Sequence, residues 1–553
     1  MSVATLALAA MVMAEGAHAA NYFTKHDLFT SAASPQSILS QVHVVKAPSG
    51  LNTLNSFLTG ADTNNDAMLN GTACTGRSFF ATCYDTPAIG SGFTLHSIGS
   101  DGTIHVTGVT DRGPNQDCGD ISDDWNLGVG NRQYTYPTGY GGPSVTSGKG
   151  FPVAKFSPTI VKGKLDKTNL KFEIEASCPL KRTTAPAGFT TYVTGLPTRS
   201  ADDTPYDGWC RTQLTYDEGG LDMEDIQPIP GTSYGMIVDE YSPSISVVNM
   251  DFSDTTNCGS VKVRYVPEGI SLPNAGYTVK DIMPRSYDQR RSNRGLEGVA
   301  VSPDGKTAAA FMQSCMDVRN ATYRTEAGLP AGSTQNGRDC EYTVVLFLNI
   351  TNPLDAKVLG TKLYPLDHWS SWPGNTGFGN MDSTKVSAAL WLGSDYGVKG
   401  NKQVIAVLER HKSVRIHIAD FSDAQYFQES QLSVAAATVL QYKTNVTAKL
   451  GKNVIATKKF LIDTALVDGY SARGEGTKIE GFAFLNNYTI LMANDNDFGL
   501  EANADSTVDI IRLNHSIAEV HNPSINTPVA RSSAGVSYAA TAAFGAVIAF
   551  VFA

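Results

Sequence analysis

Carboxylates recur in this sequence inside look-alike β-segments. Leu221-Asp222-Met223-Glu224-Asp225-Ile226 is followed by a turn at Pro230-Gly231, an apolar run from Tyr234 to Val238, and then Asp239-Glu240. Lys478-Ile479-Glu480-Gly481-Phe482 is followed by a turn at Asn486-Asn487, a run from Thr489 to Ala493, and then Asn494-Asp495. In both copies the second acid, Asp239 or Asp495, lies 15 residues after the first. A third copy begins Gly295-Leu296-Glu297-Gly298, turns at Pro303-Asp304-Gly305 and ends at Gln313-Ser314, so its second acid is replaced and its offset is one longer. Carboxylates brought together repel each other, and a fold that gathers them must supply cations, hydrogen bonds or shared protons. A hard divalent cation such as Ca²⁺ suits an all-oxygen ligand set. A metal held there can bind phosphate oxygens and activate water for in-line attack. Glu224, Asp239, Glu297, Glu480 and Asp495 are the first choice for such a site, with Glu240, Asp111 and Glu409 behind them. We assign Glu224, Glu297, Glu480 and Asp495 to catalysis, and Asp239, Glu240, Asp111 and Glu409 to the metal. The same acids also suit turn caps or a purely structural ion, and that alternative stays open.

Three arginines stand beside these acids. Arg294 is grouped with the catalytic set, and Arg112 and Arg410 are assigned to substrate, because guanidinium forks fit phosphate oxygens in two-point contact. The same forks fit neighbouring carboxylates, which is their commoner use. Other motifs are set aside. Gly231-Thr232-Ser233-Tyr234-Gly235 has the GxSxG form, but a nucleophile elbow joins a strand to a helix and this one lies in a hairpin turn. Gly305-Lys306-Thr307 ends like a P-loop without the upstream glycine in place. Asp62, Asn64 and Asp66 lack the rest of a calcium loop. His96 and His105 read as ordinary strand residues.

The elements that must position the acids are β-hairpins. Short apolar stretches such as Tyr342 to Leu348, Val404 to Leu408 and Val414 to Ile418 alternate with Gly, Pro, Asn and Asp turns, and long helical periodicity is scarce. A single hairpin cannot bury its own apolar face, so the repeats must pack on one another. The expected class is all-β, a β-propeller-like repeat of antiparallel hairpins with an irregular N-terminal extension and loops. In a propeller the first strand of each blade lines the central channel, so equivalent acids converge near one mouth. The segments around Asp111 and Glu409 read as further blades.

Six phrases occur in order: Thr110-Asp111-Arg112-Gly113-Pro114-Asn115, Leu221-Asp222-Met223-Glu224-Asp225, Asn293-Arg294-Gly295-Leu296-Glu297-Gly298, Leu408-Glu409-Arg410, Ile479-Glu480-Gly481 and Asn494-Asp495-Asn496-Asp497-Phe498-Gly499. Together they resemble the phytase-like family, also described as "esterase-like activity of phytase", over roughly residues 90 to 515. The resemblance implies a β-propeller-like fold and a phosphoester hydrolase activity resting on Asp and Glu residues. Gln313 and the long insertions are where this chain departs most from a regular pattern.

Composition and the two ends give the setting. Charged residues make up 17% of the 553, and the net charge is −10. No basic surface is concentrated anywhere, which argues against a nucleic-acid partner. The apolar run from Val3 to Met13 and Ala17-His18-Ala19 read as a signal peptide over 1–19. An irregular extension over 20–89, a propeller domain over 90–515 and a polar linker over 516–538 follow. The apolar tail over 539–553, after small residues at Ser532, Ser533 and Ala534, resembles a glycosylphosphatidylinositol signal, with a membrane anchor as the alternative. Eight Cys form an even set without metal-site spacing, so they read as disulfides in an oxidising compartment. Cys74 with Cys83, and Cys315 with Cys340, are the local pairings to test first. Asn70, Asn320, Asn349, Asn445, Asn487 and Asn514 begin glycosylation sequons. The expectation is a surface-anchored hydrolase of a phosphorylated small molecule, using Ca²⁺. A non-catalytic propeller that binds a ligand or protein is the alternative, and an esterase acting through Ser233 is a third reading.

Overall fold

The computed structural model describes residues 37–45, 88–113, 115–119, 125–127, 132–134, 145, 147–151, 154–166, 171–208, 210–316, 341–368, 371–372, 384–411, 413–429, 446–467, 478–497, 507–513 and 515–522. Within them, β-branched and aromatic runs such as SISVVN and YTVVLFLN form strands buried along most of their length. Five antiparallel sheets stand around a central axis as the blades of a β-propeller. Blade 1 runs Gly92–Ile98, Ile104–Val109, Thr159–Asp166 and Lys171–Pro179. Blade 2 runs Met223–Pro228, Tyr234–Asp239, Ser244–Asn249 and Val261–Pro267, with Thr278–Met283 added parallel at its edge. Leu296–Val301, Thr307–Met312, Tyr342–Asn349 and Lys357–Pro365 make blade 3. Lys385–Trp391, Val404–Arg410, Val414–Asp420 and Thr457–Asp463 make blade 4. Blade 5 is Lys478–Asn486, Thr489–Asp495 and Thr507–Arg512.

A fourth strand for blade 5 comes from far away in sequence. Ser37–Val45, inside the stretch read as an extension, pairs antiparallel with Thr507–Arg512. Its last residues, Val44 and Val45, then run parallel to Phe172 and Glu173 at the outer edge of blade 1. The ring is thereby joined by backbone hydrogen bonds. A hydrophobic cluster fills each gap between neighbouring blades. Val238, Tyr265, Val299 and Leu346 lie between blades 2 and 3, and Leu408, Ile416, Phe482 and Met492 between blades 4 and 5.

The first strand of every blade lines the axis, and in blades 2 to 5 it carries a β-bulge near its start. Register slips between Met223 and Asp225, Leu296 and Gly298, Val386 and Ala388, and Ile479 and Gly481. The extra residue is Glu224, Glu297, Ser387 or Glu480. In blade 1 the register slips later, between Leu95 and Ser97, and Gly90 meets Val109 in a parallel bridge, with Ser91 between it and Gly92. A bulge re-aims one side chain without ending the strand.

The residues just past the bulges, or past Ser91 in blade 1, are Gly92, Gly298, Ala388 and Gly481 in four blades, and Asp225 in blade 2. The small ones leave room for one carboxylate. Asp225 is fully buried and spans three inner strands: Oδ1 accepts from Ile226 N at 2.8 Å, and Oδ2 accepts from Val299 N at 2.9 Å and Ala389 N at 3.3 Å. Gln227, further along the same strand, accepts from Thr94 Oγ1 at 3.2 Å and donates to Ala389 O at 3.3 Å. Inner strands are edge strands with unpaired N–H groups, and these side chains satisfy them.

Two disulfides brace the rim. Cys118–Cys210 ties the insertion between the second and third strands of blade 1 to the approach to blade 2, and Cys178–Cys258 ties blade 1 to a turn of blade 2. Cys315 is also disulfide-bonded. Cys74, Cys83 and Cys340 lie outside the described residues, so both local pairings expected from sequence fall wholly or half beyond them. No helix among the described residues is long and apolar enough to cross a membrane. The tail over 539–553 and the segment over 1–19 are not among those residues.

Removing the Asp225 carboxylate strands two backbone donors from other blades, each costing about 1–3 kcal/mol when buried. Asp225→Ala is therefore expected to lower the melting temperature markedly. Asp225→Asn, which keeps an acceptor oxygen, is expected to lower it less. Differential scanning fluorimetry of the two variants checks the order.

Candidate active site at the channel mouth

The four bulge residues Glu224, Glu297, Ser387 and Glu480, with Ser91 at the corresponding place in blade 1, form one ring at the mouth. A second ring comes from the far end of each second strand. Aligning the blades on their bulges, and blade 1 on Ser91, gives Asp111, Glu240, Gln313, Arg410 and Asp495. The sequence repeat was thus correct for the first acids and one residue out for the second. The equal 15-residue offsets match Asp239 with Asp495, but Met223 pairs with Asp239 whereas Lys478 pairs with Asp495. The true counterpart of Asp495 is Glu240, because the two hairpins differ by one residue.

That single step decides which way a side chain points. Asp239 faces away from the mouth, where Oδ2 pairs with fully buried Arg264 at 3.0 Å and Oδ1 accepts from Ser242 N at 2.9 Å. It holds strand ends together, and we remove it from the metal set. Glu409 is corrected for the same reason. It turns toward blade 3, accepting from Tyr364 Oη at 2.6 Å, Lys458 Nζ at 2.7 Å and Asp367 N at 3.1 Å. Asp367, Glu409 and His417 could hold a metal by spacing, but Lys458 already bonds both acids and Arg415 pairs with Asp367 at 2.7 Å. Although burial opposes it, His417 and Lys458 hold Asp367 well below the usual carboxylate range.

The remaining predicted acids converge. Asp222, Glu224 and Glu240 each offer an oxygen, and the three oxygens lie within 4.8 Å of one another. Asp111, Asp495 and Asp497 form a second such trio. Burial pushes Glu224 well above its ordinary range, and Glu297 and Asp222 add to the shift. Burial does the same to Glu297, reinforced by Glu240 and Glu480 and opposed by Arg410 and Gln313. Glu240 is pushed up to about 7, first by burial and then by Asp222. Asp111 and Asp495 are raised by burial and by neighbouring acids. Glu297 is 1% exposed, and its Oε2 has no hydrogen-bond partner among the described residues. Concentrated oxygens that resist ionising, with one acceptor left over, fit a hard divalent cation.

The arginines divide between the two readings given them. Arg112 stacks on Tyr241 with its guanidinium carbon 4.2 Å from the ring centre. It pairs with Asp222 at 3.3 Å and donates to Asn293 Oδ1 at 2.7 Å. Arg410 pairs with Glu480 and lies 4.0 Å from Glu297. Both are therefore tied to carboxylates. Arg294 is buried near Lys385, whose ammonium it disfavours. Ser233 is exposed in the turn of the blade 2 hairpin, at the end of the blade remote from the acids.

Sequence reasoning passed over Asp222, Lys385, Ser387, Lys478 and Asp497. Lys478 bonds Asp497 at 2.6 Å, and Asp497 adopts a left-handed backbone at φ 45°. A signal for Lys385 was present: Thr384-Lys385-Val386-Ser387 repeats Thr477-Lys478-Ile479-Glu480, with the acid replaced by serine.

A five-bladed propeller with a carboxylate-rich mouth is the class that fold and site define. Residues 153–498 match the family described as "Phytase-like: Esterase-like activity of phytase". The match covers more than half of the chain, and the chain belongs to that family. No curated protein matches it. Among solved structures, the hydrazine synthase of Kuenenia stuttgartiensis is similar at 10% identity and a TM-score of 0.24, over 68% of this chain and 90% of that one. The periplasmic gluconolactonase of Pseudomonas aeruginosa is similar at 11% identity and a TM-score of 0.26, over 77% and 88%. Neither likeness bears on function.

Glu240 gives a signed pH effect. Its carboxyl moves from 4.5 to about 7 on folding, so the unfolded chain loses this proton first. Stability of the cation-free protein should fall as pH rises across that window. Melting temperatures in chelator, compared with Glu240→Gln, isolate the contribution: the fall should be shallower in the variant. Added Ca²⁺ should flatten it in the wild type.

Proposed function

We propose that the chain is a metal-dependent phosphoester hydrolase working at the channel mouth. The observation that carries this reading is the Asp222, Glu224 and Glu240 trio beside the unpartnered Oε2 of Glu297, in a member of the phytase-like family. Ca²⁺ is the metal we favour, from the all-oxygen donor set. When bound, such an ion polarises a phosphoryl oxygen and lowers the pKa of a coordinated water. The chain's own residues do the rest. Glu224 and Glu240, with Asp222, would hold the ion. Glu297, kept protonated by burial, would give its proton to the leaving oxygen. Glu480 is paired with Arg410, and that pair would orient both groups toward the substrate. Asp111 and Asp495 would hold a second cation with Asp497.

The setting is part of the proposal. Two disulfides support an oxidising, extracellular compartment. Asn349, exposed at the end of a blade 3 strand, is available for glycosylation. Anchorage through the apolar tail and a phosphorylated small-molecule substrate remain part of the same reading.

Purified protein should hydrolyse p-nitrophenyl phosphate or phytate in a Ca²⁺-dependent manner. Glu224→Gln combined with Glu480→Gln should lower kcat/KM by at least about 100-fold, the scale of losing a positioned catalytic group. Silence on monoesters and diesters alike, with Ca²⁺ raising only the melting temperature, would leave a ligand-binding propeller instead.

A further inference from the structure

Blades 2 to 5 each set two residues face to face at the mouth, one two positions before the bulge and one from the second ring. Blade 5 places Lys478 opposite Asp495, which is a matched pair. Blade 2 places Asp222 opposite Glu240, whose N–H donates to the Asp222 carbonyl at 3.2 Å, so two acids face each other. In blade 3 the pair is Gly295 and Gln313, and blade 1 has no such pair, because Gly90 meets Val109 in a parallel bridge there. Blade 4 places Lys385 directly opposite Arg410.

Like charges directly opposed across a strand pair are destabilising. The acid pair of blade 2 is met by the Arg112 guanidinium, which pairs with Asp222 at 3.3 Å, and by the same logic the basic pair of blade 4 calls for an anion. Blade 4 contributes no acid to either ring, only Ser387 and Arg410. Arg410 is partly compensated by Glu480 and Glu297. The Lys385 ammonium has no ion-pair partner among the described residues. Burial, then Arg294 and Arg410, push Lys385 down to about 7, and Glu240 offsets only part of that. A second, independent sign comes from Ser387. It is 0% exposed, it occupies the bulge position two residues after Lys385, and its hydroxyl has no hydrogen-bond partner among the described residues. The Arg410 Nε is buried and unpartnered too.

We propose that Lys385, Ser387 and Arg410 form an oxyanion seat on the blade 4 side of the mouth, which takes a tetrahedral phosphoryl group. The ammonium, the hydroxyl and the guanidinium Nε supply donors on one side. Asp225 bonds the inner strands of blades 2 and 4 to the same carboxylate, so the acid trio lies just across the axis. A tetrahedral phosphoryl group spreads its oxygens in three dimensions, whereas a carboxylate offers two in one plane. This seat rests on the proposed hydrolase reading for its place in a reaction, but not for its existence.

The test uses the full chain in chelator with inorganic phosphate as the probe, read by calorimetry and by melting temperature. Phosphate should bind and raise the melting temperature of the wild type. Lys385→Met should bind at least about tenfold more weakly, the scale of one charge-assisted hydrogen bond. Because it removes a like-charge pair, that variant should melt no lower than the wild type without phosphate. Lys385→Arg should stay within about threefold, since the charge is kept. Acetate at equal concentration should give no shift. Phosphate binding unchanged in Lys385→Met, or absent from the wild type, overturns the seat, and an equal response to acetate overturns its phosphoryl assignment. Lys385-dependent phosphate binding without turnover leaves the seat standing and removes the hydrolase. Turnover that needs Glu224 while Lys385→Met binds phosphate normally does the reverse.

Discussion

One carboxylate governs the centre of this propeller. Asp225 accepts backbone N–H groups from the inner strands of three blades, and no equivalent position in the other blades carries more than a methyl group. Without that acceptor the innermost strands would face one another with unpaired donors in a dry channel. Burial raises its pKa, and the three N–H groups pull against the rise. The acids above it are then presented on a floor whose geometry is fixed.

The bulges convert that frame into a site. A regular strand would alternate its side chains between neighbouring blades, and no row of acids would face the axis. Near the start of the first strand in blades 2 to 5 the inserted residue breaks the alternation, and it delivers Glu224, Glu297 and Glu480 to one mouth. Glycine permits the close approach this needs: a Cβ at Gly295 would lie 2.0 Å from the Glu240 carbonyl oxygen. The result is a surface of opposed tendencies, acids that resist ionisation beside cations that are incompletely matched.

Much of this was legible in the sequence where local pattern and final geometry coincide. Glu224, Glu297 and Glu480 were found because each begins an apolar strand that ends in a turn, and the strand is what places them. Asp239 and Glu409 were misassigned because sequence spacing does not record hairpin length, and a one-residue difference turns a side chain to the other face. Lys385 and Ser387 were overlooked because blade 4 lacks the acid that marked its relatives. Glu240, Asp111 and Arg410 were named, yet their equivalence could be seen only from strand register. The strand at Ser37–Val45 had no local signal of its role, since its partners lie at Thr507–Arg512 and Phe172–Glu173.

That last strand makes the ring a circuit whose clasp is formed by chain segments more than 450 residues apart. Blades can form in order as the chain emerges, since most of their pairings are between successive strands. The clasp cannot, and blade 5 keeps an open edge until the early strand finds it. An open edge of this kind is where another chain can add. Folding of this protein is therefore completed only after synthesis of the final blade, and the early strand, which can reach the edge of blade 1 first, keeps its other edge open until then.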